Sequence, residues 1–195
     1  VIEASFDTDR LPGDLKPGYL DTGLTFERGE ISIPNGCHAA AVEVDPETGA
    51  VNLVGYWVVD DFGTIINPLL ADGQVMGGIA QGIGQALTEQ IVFDESGQVV
   101  TGSLMDYGLP HADTIPEMVI EYYEGAPTKK NPLGVKGAGE AGCVGSLPAV
   151  VNAVLDALKE YDIVHMDMPL TPQKVWRAVR DKGAFDPRGL LEDVL

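Results

Sequence analysis

The stretch Lys136-Gly137-Ala138-Gly139-Glu140-Ala141-Gly142 lies between a turn-rich segment and an apolar segment. Four glycines within nine residues, the first of them Gly134, surround one lysine and one glutamate. Glycine lets a backbone adopt positive φ and approach another body closely. The run indicates either a sharp reversal before a helix or a backbone cradle for a ligand, with Glu140 held in it as a reactive carboxylate. A short glycine-rich loop is a weak signal, so this segment alone favours the reversal.

Apolar periodicity predicts helices on both sides of this loop. Upstream, apolar residues recur every three to four positions from Asp72 to Gln90, with five glycines among them. Each interior glycine costs about 0.5–1 kcal/mol relative to alanine, so this helix must gain either close packing or exposure of its backbone to a ligand. Downstream, Ser146 is predicted to cap a second helix, and Thr171-Pro172 begins a third that ends at Gly183.

Alternating apolar and polar residues predict strands, and pairs of strands around short turns predict two hairpins. The predicted strands are Ala39–Asp45 and Val51–Asp60, then Ile91–Asp94 and Gln98–Thr101, then Glu117–Glu124 and Ile163–Met166. Residues 1–36 are turn-rich and read as an irregular lead-in. The pattern predicts an α+β fold with a mixed or largely antiparallel sheet, hairpins and packed helices, as one lobe over residues 1–195.

The composition is that of a globular protein with a strong negative charge. The chain has 195 residues, of which 45% are hydrophobic, and can bury a substantial core. Its 30 acidic and 12 basic side chains give a net charge of −18. This charge argues against nucleic-acid binding and against docking on an anionic membrane. No signal peptide or membrane span is evident, so we expect a cytoplasmic protein without membrane insertion.

Metal-ligand spacing is absent from the sequence. Cys37 and Cys143 are far apart and form neither a CxxC motif nor a disulfide framework. The histidines are isolated from one another: His38, His111 and His165. The acids near the first hairpin lack the spacing of an EF-hand and are interpreted as turn and strand-end residues: Asp45, Asp60 and Asp61. We therefore predict no metal ligand from the protein.

Several motifs together resemble one known family, the molybdenum hydroxylases, which include xanthine dehydrogenase, aldehyde oxidoreductase and the large subunit of aerobic carbon monoxide dehydrogenase. The motifs are Gly77-Gly78-Ile79-Ala80-Gln81-Gly82-Ile83-Gly84-Gln85-Ala86-Leu87, Asp106-Tyr107-Gly108-Leu109-Pro110 and Lys136-Gly137-Ala138-Gly139-Glu140. Flanking segments are most similar to the carbon monoxide dehydrogenase branch: residues 42–49, 148–153 and 168–172. The resemblance runs from about Cys37 to Val179 and matches the C-terminal part of a large subunit, within its second molybdopterin-binding lobe.

The resemblance implies a role for each matching residue. Glu140 corresponds to the general base beside molybdenum, and such a base works best when burial raises its pKa towards the operating pH. Gln81 corresponds to a glutamine that hydrogen-bonds the cofactor, and it shares one helix face with Gln74 and Gln85. The loop around the pterin corresponds to Lys136, Gly137, Ala138 and Gly139, whose ammonium and N–H groups suit polar and anionic parts of a ligand.

The resemblance also implies cofactors and partners. It implies a molybdopterin-type cofactor in the cytosine dinucleotide form, with iron–sulfur clusters and FAD only on partner domains or subunits. The implied reaction oxidises a small molecule or carbon monoxide with oxygen from water. The other cofactor lobe and the copper-binding cysteine loop of carbon monoxide dehydrogenases have no match, and neither Cys37 nor Cys143 corresponds to that cysteine.

The first residue, Val1, is not an initiator Met, so the sequence reads as a fragment or a split subunit that is inactive alone and assembles with the remaining part of the large subunit. Two alternatives stay open at this point. One is a non-catalytic scaffold or assembly lobe of such a complex, and the other is a generic small-ligand-binding module.

Overall fold

The computed structural model describes residue 25 and residues 30–181. Contacts divide the chain into two compact units, Val1–Ile31 and Ser32–Leu195, and every described helix and strand lies in the second. The predicted lead-in over residues 1–36 falls mostly outside the described residues, although Asn35 and Gly36 already belong to a strand. The predicted helix end at Gly183 also lies outside them.

The described strands form one mixed three-stranded sheet, in the order β1-β2-β3. They are β1 (Asn35–Val44), β2 (Val51–Asp61) and β3 (Met118–Tyr122). β1 and β2 pair antiparallel as the predicted hairpin, whereas β3 pairs with β2 in parallel, with Val119 opposite Trp57. The α+β class and the mixed sheet are therefore confirmed.

Three α-helices accompany the sheet. They are α1 (Pro68–Leu87), α2 (Ala141–Ala157), which continues into a 3-10 turn (Leu158–Tyr161), and α3 (Pro172–Arg180). α1 begins four residues before the predicted Asp72, because Asn67 caps it: the Asn67 side chain accepts a hydrogen bond from the backbone N–H of Leu70 at 3.2 Å. α3 begins as predicted, with Thr171 as its cap.

We expect Asn67→Ala to lower the free energy of unfolding by about 1 kcal/mol, since the first turn of α1 would lose its side-chain acceptor. Urea unfolding followed by circular dichroism measures the change. Asn152→Ala is the matched control, because Asn152 is exposed inside α2 and caps nothing. Equal effects of the two substitutions would contradict the capping role of Asn67.

The predicted start of α2 at Ser146 is wrong. The helix begins at Ala141, so that Glu140 takes the cap position and Pro148 lies inside the helix. Ser146 is fully buried, and its hydroxyl donates to the carbonyl oxygen of Cys143 at 3.1 Å, which is a bond within the helix and not a cap. Glycine and proline lower local helix propensity, and packing against the neighbouring elements overrides it here.

Two predicted strand regions form less regular structure. The second hairpin has a single bridge, Phe93 to Val99, and its turn is organised by Asp94, whose carboxylate accepts from the backbone N–H of Ser96 and Gln98 at 2.9 Å. The segment 163–166 is not a strand, because within the described residues it has no ladder partner. Its end residues are nevertheless core, with 2% exposure each.

The close approach of α1 and α2 explains part of the glycine content of α1. A Cβ atom on Gly142 would lie 2.5 Å from the carbonyl oxygen of Val75, and one on Gly78 would lie 3.1 Å from the Cα atom of Gly142. Side chains at these positions would force the helices apart. Gly73 and Gly77 differ, since a Cβ atom there would meet no described atom within 4 Å. Close packing therefore accounts for only some of these glycines.

The segment Ala141–Tyr161 is long and apolar enough to cross a membrane by length and composition alone, which the sequence analysis did not recognise. In the structure this segment is a core element. Val150, Val154 and Leu158 are completely buried, in contact with the cluster formed by the sheet and the other helices. The core accounts for part of the apolar character of the segment, since 28% of its most apolar window is buried and Val144 is 65% exposed.

Candidate functional site

A pocket of about 480 Å³ lies between the beginning of β1, the end of β2 and the glycine-rich loop before α2. Its volume is in the range of small-molecule sites. The wall brings together four of the residues predicted for the site: Gly137, Ala138, Gly139 and Glu140. Lys136 and Gln81 do not belong to the wall.

Glu140 lies at the junction of the loop and α2. It occupies the cap position of the helix, yet its side chain makes no capping hydrogen bond. The first N–H groups of a helix stabilise a negative charge, so this position suits a carboxylate. The residue is exposed, and the burial expected for a tuned base is therefore not supplied by the described residues. The Glu140 carboxylate is available to a ligand or to a further part of the protein.

The loop glycines distinguish a sharp reversal before α2 from a backbone cradle for a ligand. Neither Gly137 nor Gly139 has a positive φ, which among the loop glycines belongs to Gly134. A Cβ atom on Gly139 would meet no described atom within 4 Å, and one on Gly137 would come no closer than 3.6 Å, to the carbonyl oxygen of Ser32. Neither a reversal nor packing within the described residues requires glycine at these two positions. The geometry favours a cradle that another body approaches.

Gln74 connects this loop to α1. Its side-chain amide donates to the carbonyl oxygen of Gly139 at 2.6 Å. Gln81 lies on the same helix face and is exposed, but seven residues advance a helix by about 10 Å. The structure therefore places Gln81 beyond the pocket and does not bring it into the wall beside Glu140.

Lys136 is committed to an ion pair. Its Nζ atom lies 2.5 Å from Oδ2 of Asp61, and the side chains are only 11% and 13% exposed. The backbone N–H of Lys136 also donates to the carbonyl oxygen of Phe62 at 2.7 Å. The lysine fastens the loop to the end of β2, so in this structure its ammonium is not free for the anionic ligand expected from the sequence. The hydrogen bond from Lys136 lowers the pKa of Asp61.

We expect Lys136→Met to destabilise the protein most at neutral pH. Because the pKa of Asp61 is lowered in the folded state, its ion pair contributes stability above the unfolded value of about 3.9, and this contribution is lost as the pH falls through the folded value. The difference in unfolding free energy between wild type and variant should thus be largest at pH 7 and shrink in acid. Urea unfolding at a series of pH values measures it.

Lys159→Met is the control for this prediction, because Lys159 pairs with Asp156 on the surface, where an ion pair contributes little. A difference between wild type and Lys136→Met that stays constant from neutral to acid pH would contradict the role given to Asp61.

A buried polar cluster in the pocket wall escaped the sequence analysis. Nδ1 of His38 lies 2.7 Å from the hydroxyl of Tyr56, and Nε2 of His38 lies 3.4 Å from Oδ1 of Asp60. Burial, followed by the charge of Asp60, raises the pKa of Tyr56 far above its ordinary value. Tyr56 is therefore a neutral phenol that shares one hydrogen bond with Nδ1 of His38, while Nε2 of the same ring faces Asp60.

Asp60 lies at the end of β2, as expected for a strand-end acid, but its side chain is only 1% exposed, and the sequence analysis did not predict this burial. The alternation of buried and exposed positions along β2 indicates that the Asp60 side chain is buried. Tyr56, Val58 and Asp60 are two residues apart and share the inward face of the strand. Among residues 30–181 and residue 25, no group of three or more His, Cys, Asp or Glu side chains could hold a metal ion. Cys37 and Cys143 are free thiols.

Comparison with known proteins places this chain in a family. A family model described as a molybdopterin cofactor-binding domain matches residues 17–116. The nicotine 6-hydroxylase large subunit of Paenarthrobacter nicotinovorans is 40% identical over 94% of this chain and 22% of its own length. The carbon monoxide dehydrogenase large chain of Hydrogenophaga pseudoflava is 34% identical over 87% of this chain and 21% of its own.

A solved structure agrees with these sequence relatives. Reconstituted carbon monoxide dehydrogenase from Oligotropha carboxidovorans superposes with a TM-score of 0.76 and 32% identity, over 92% of this chain and 22% of that chain. The chain thus spans about a fifth of the length of the relatives that it matches. On this sequence identity and this fold, the chain belongs to the molybdenum hydroxylase family, as a molybdopterin cofactor-binding portion of a large subunit like that of carbon monoxide dehydrogenase.

Proposed function

We propose that the chain supplies part of the catalytic site of a molybdenum hydroxylase, with Glu140 as its general base. The observation that carries this proposal is the position of Glu140, whose side chain makes no capping hydrogen bond and lies in the pocket wall beside Gly139, where an added Cβ atom would meet no described atom within 4 Å. The substrate class is a small molecule or carbon monoxide, with oxygen from water.

The loop before α2 would hold the pterin part of the cofactor. The open approach to Gly137 and Gly139 lets a ligand contact the backbone at van der Waals distance, and Ala138 lies between them in the same wall. Gln81 would contact the cofactor from the exposed face of α1. When bound, the cofactor would supply the metal and its two-electron redox chemistry.

Glu140 would act as a proton acceptor. Because the Glu140 carboxylate makes no capping hydrogen bond, both of its oxygens are available to the reacting groups. The N-terminus of α2 holds its negative charge before the proton arrives. Closure of the pocket by the missing part of the protein would exclude water and strengthen these interactions.

The wider assembly is also proposed. The cofactor would be the cytosine dinucleotide form, and iron–sulfur clusters and FAD would reside on partner domains or subunits. The chain would act in the cytoplasm together with the remaining part of the large subunit, and it would be inactive alone. The relatives named above, which are a large subunit and a large chain, support this arrangement.

The amide substitution at Glu140 tests the proposed base in the assembled enzyme. Loss of turnover with the cofactor retained supports the proposal. Unchanged turnover would assign the chain to a non-catalytic scaffold or assembly lobe instead.

A further inference from the structure

Asp60 is a nearly fully buried carboxylate without a close hydrogen-bond donor. Its Oδ2 atom has no partner among the described residues, and its Oδ1 atom lies 3.4 Å from His38, which is longer than an ordinary hydrogen bond. Burying an ionised carboxylate is costly unless hydrogen bonds or an opposite charge compensate for the lost water. The arrangement therefore calls for a donor that these residues do not supply.

The two tyrosine hydroxyls near Asp60 already make hydrogen bonds to other side chains. The phenol of Tyr56 is hydrogen-bonded to Nδ1 of His38, and the phenol of Tyr122 donates to Asp72 at 2.8 Å. Both tyrosines lie close enough for the charge of Asp60 to raise their pKa, in addition to the larger effect of burial. Neither of these neighbours can turn to Asp60 without breaking its own hydrogen bond.

Asp60 lines the pocket, so a ligand bound there could supply the missing hydrogen-bond donor. The pocket wall contains two acids, Asp60 and Glu140, one histidine, and no lysine or arginine. Among the described residues, the rest of the wall is the amide of Asn35, backbone, and small or apolar side chains such as Ile33 and Val144. Such a lining disfavours a phosphate and suits a flat molecule that carries N–H groups.

The carboxylate is held in place by its neighbours. A Cβ atom on Gly36 would lie 2.0 Å from Oδ1 of Asp60, so only glycine leaves room for the side chain. A Cβ atom on Gly145 would lie 2.4 Å from Nε2 of His38, which shows that the imidazole ring packs directly on the backbone of α2. The His38 ring therefore lies between Asp60 and the helix that carries Glu140.

We propose that Asp60 is the acceptor of this pocket for an N–H group at the edge of a planar ligand. The 1% exposure of Asp60 limits the donor to a narrow ring-edge group and excludes a hydrated cation. Two sources have this chemistry, the pterin part of the cofactor and a nitrogen-containing substrate ring. Whether the donor belongs to the cofactor or to the substrate depends on the proposed function. The role of Asp60 as acceptor does not depend on it.

The acceptor role is tested on the chain itself with benzamidine, a planar cation with N–H groups. NMR signals of the His38 ring should shift saturably on titration, and Asp60→Asn should weaken binding at least about tenfold, as expected for the loss of a charge-assisted hydrogen bond. The N,N,N-trimethylanilinium ion, which has the same charge and no N–H group, should cause no such shift. Glu117→Gln, an exposed glutamate outside the pocket wall, is the control variant and should retain the binding.

A second variant covers the case in which Asp60→Asn does not fold. Gly36→Ala keeps the charge of Asp60 and displaces its carboxylate, so it should weaken binding of benzamidine comparably. Equal binding to wild type and either folded variant would overturn the proposal. So would an equal response to trimethylanilinium, or a crystal structure in which a buried water alone serves Oδ2.

The assembled enzyme distinguishes the two sources. A loss of pterin from Asp60→Asn identifies the cofactor as the donor. Retained pterin with a KM raised about tenfold for substrates that carry a ring N–H, and unchanged kcat, identifies the substrate. Unchanged pterin content and KM would overturn the proposal. The benzamidine titration needs no molybdenum, so a metal-free complex would refute the proposed function without deciding the role of Asp60.

Discussion

Glu140→Gln is expected to lower kcat of the assembled enzyme by about 10²- to 10⁴-fold, which is the range for removal of a positioned general base. Glutamine keeps the size of the side chain and still accepts hydrogen bonds, but it cannot take up a proton at neutral pH. The side chain makes no capping hydrogen bond, so the substitution should leave α2 and the pocket intact. Molybdenum and pterin contents should therefore stay at the wild-type level.

The control for this experiment is Glu117→Gln, an exposed glutamate that lies outside the pocket wall. Steady-state kinetics and metal analysis of both variants separate loss of chemistry from loss of cofactor. A Glu140→Gln enzyme with wild-type kcat would contradict the role of Glu140. A parallel fall in molybdenum content and activity would make Glu140 a cofactor-binding residue and not the base.

Gly142→Ala is expected to lower the free energy of unfolding by about 1–3 kcal/mol, as overpacking of a core does. The added methyl group would lie 2.5 Å from the carbonyl oxygen of Val75 and 3.0 Å from the backbone nitrogen of Ile79. Both atoms belong to the backbone of α1, so no flexible side chain can move aside. The two helices would have to separate, and the contact that positions the start of α2 would loosen.

Gly77→Ala is the matched control, because it changes an α1 glycine that has no described atom within 4 Å of the added carbon. Alanine should stabilise the helix there by about 0.5–1 kcal/mol. Urea unfolding of the two variants therefore should give opposite signs. Destabilisation by Gly77→Ala as large as that by Gly142→Ala would show that the helix crossing is not where the structure places it.

Local pattern was sufficient for much of the fold. The β1–β2 hairpin followed from two alternating runs around a short turn, and α1 and α3 followed from apolar periodicity. The start of α3 was also recognised, whereas the start of α1 was placed four residues too late. The start of α2 did not follow from local pattern, because Gly142, Gly145 and Pro148 weaken the local helix signal while packing against α1 and β1 favours the helix. Tertiary contacts decided that boundary.

The site was harder to predict than the fold. Glu140 and the loop glycines were recognisable because they are consecutive in the sequence and share one pocket wall. The pairing of Lys136 with Asp61 joins residues 75 positions apart, and no local pattern reveals it. The alternation of β2 places Asp60 on the buried face of the strand, so its burial could have been predicted. It was missed because the acids in this region were interpreted together as turn and strand-end residues.

The most direct test of the account is the molybdenum and pterin content of this chain, expressed alone and together with the polypeptide that supplies the missing part of the large subunit. We expect both to be present in the purified complex and absent from the chain alone, because the chain spans only about a fifth of the length of the relatives that it matches. A stable complex that contains neither, obtained from a host that loads related enzymes, would contradict the assignment of this pocket to the cofactor.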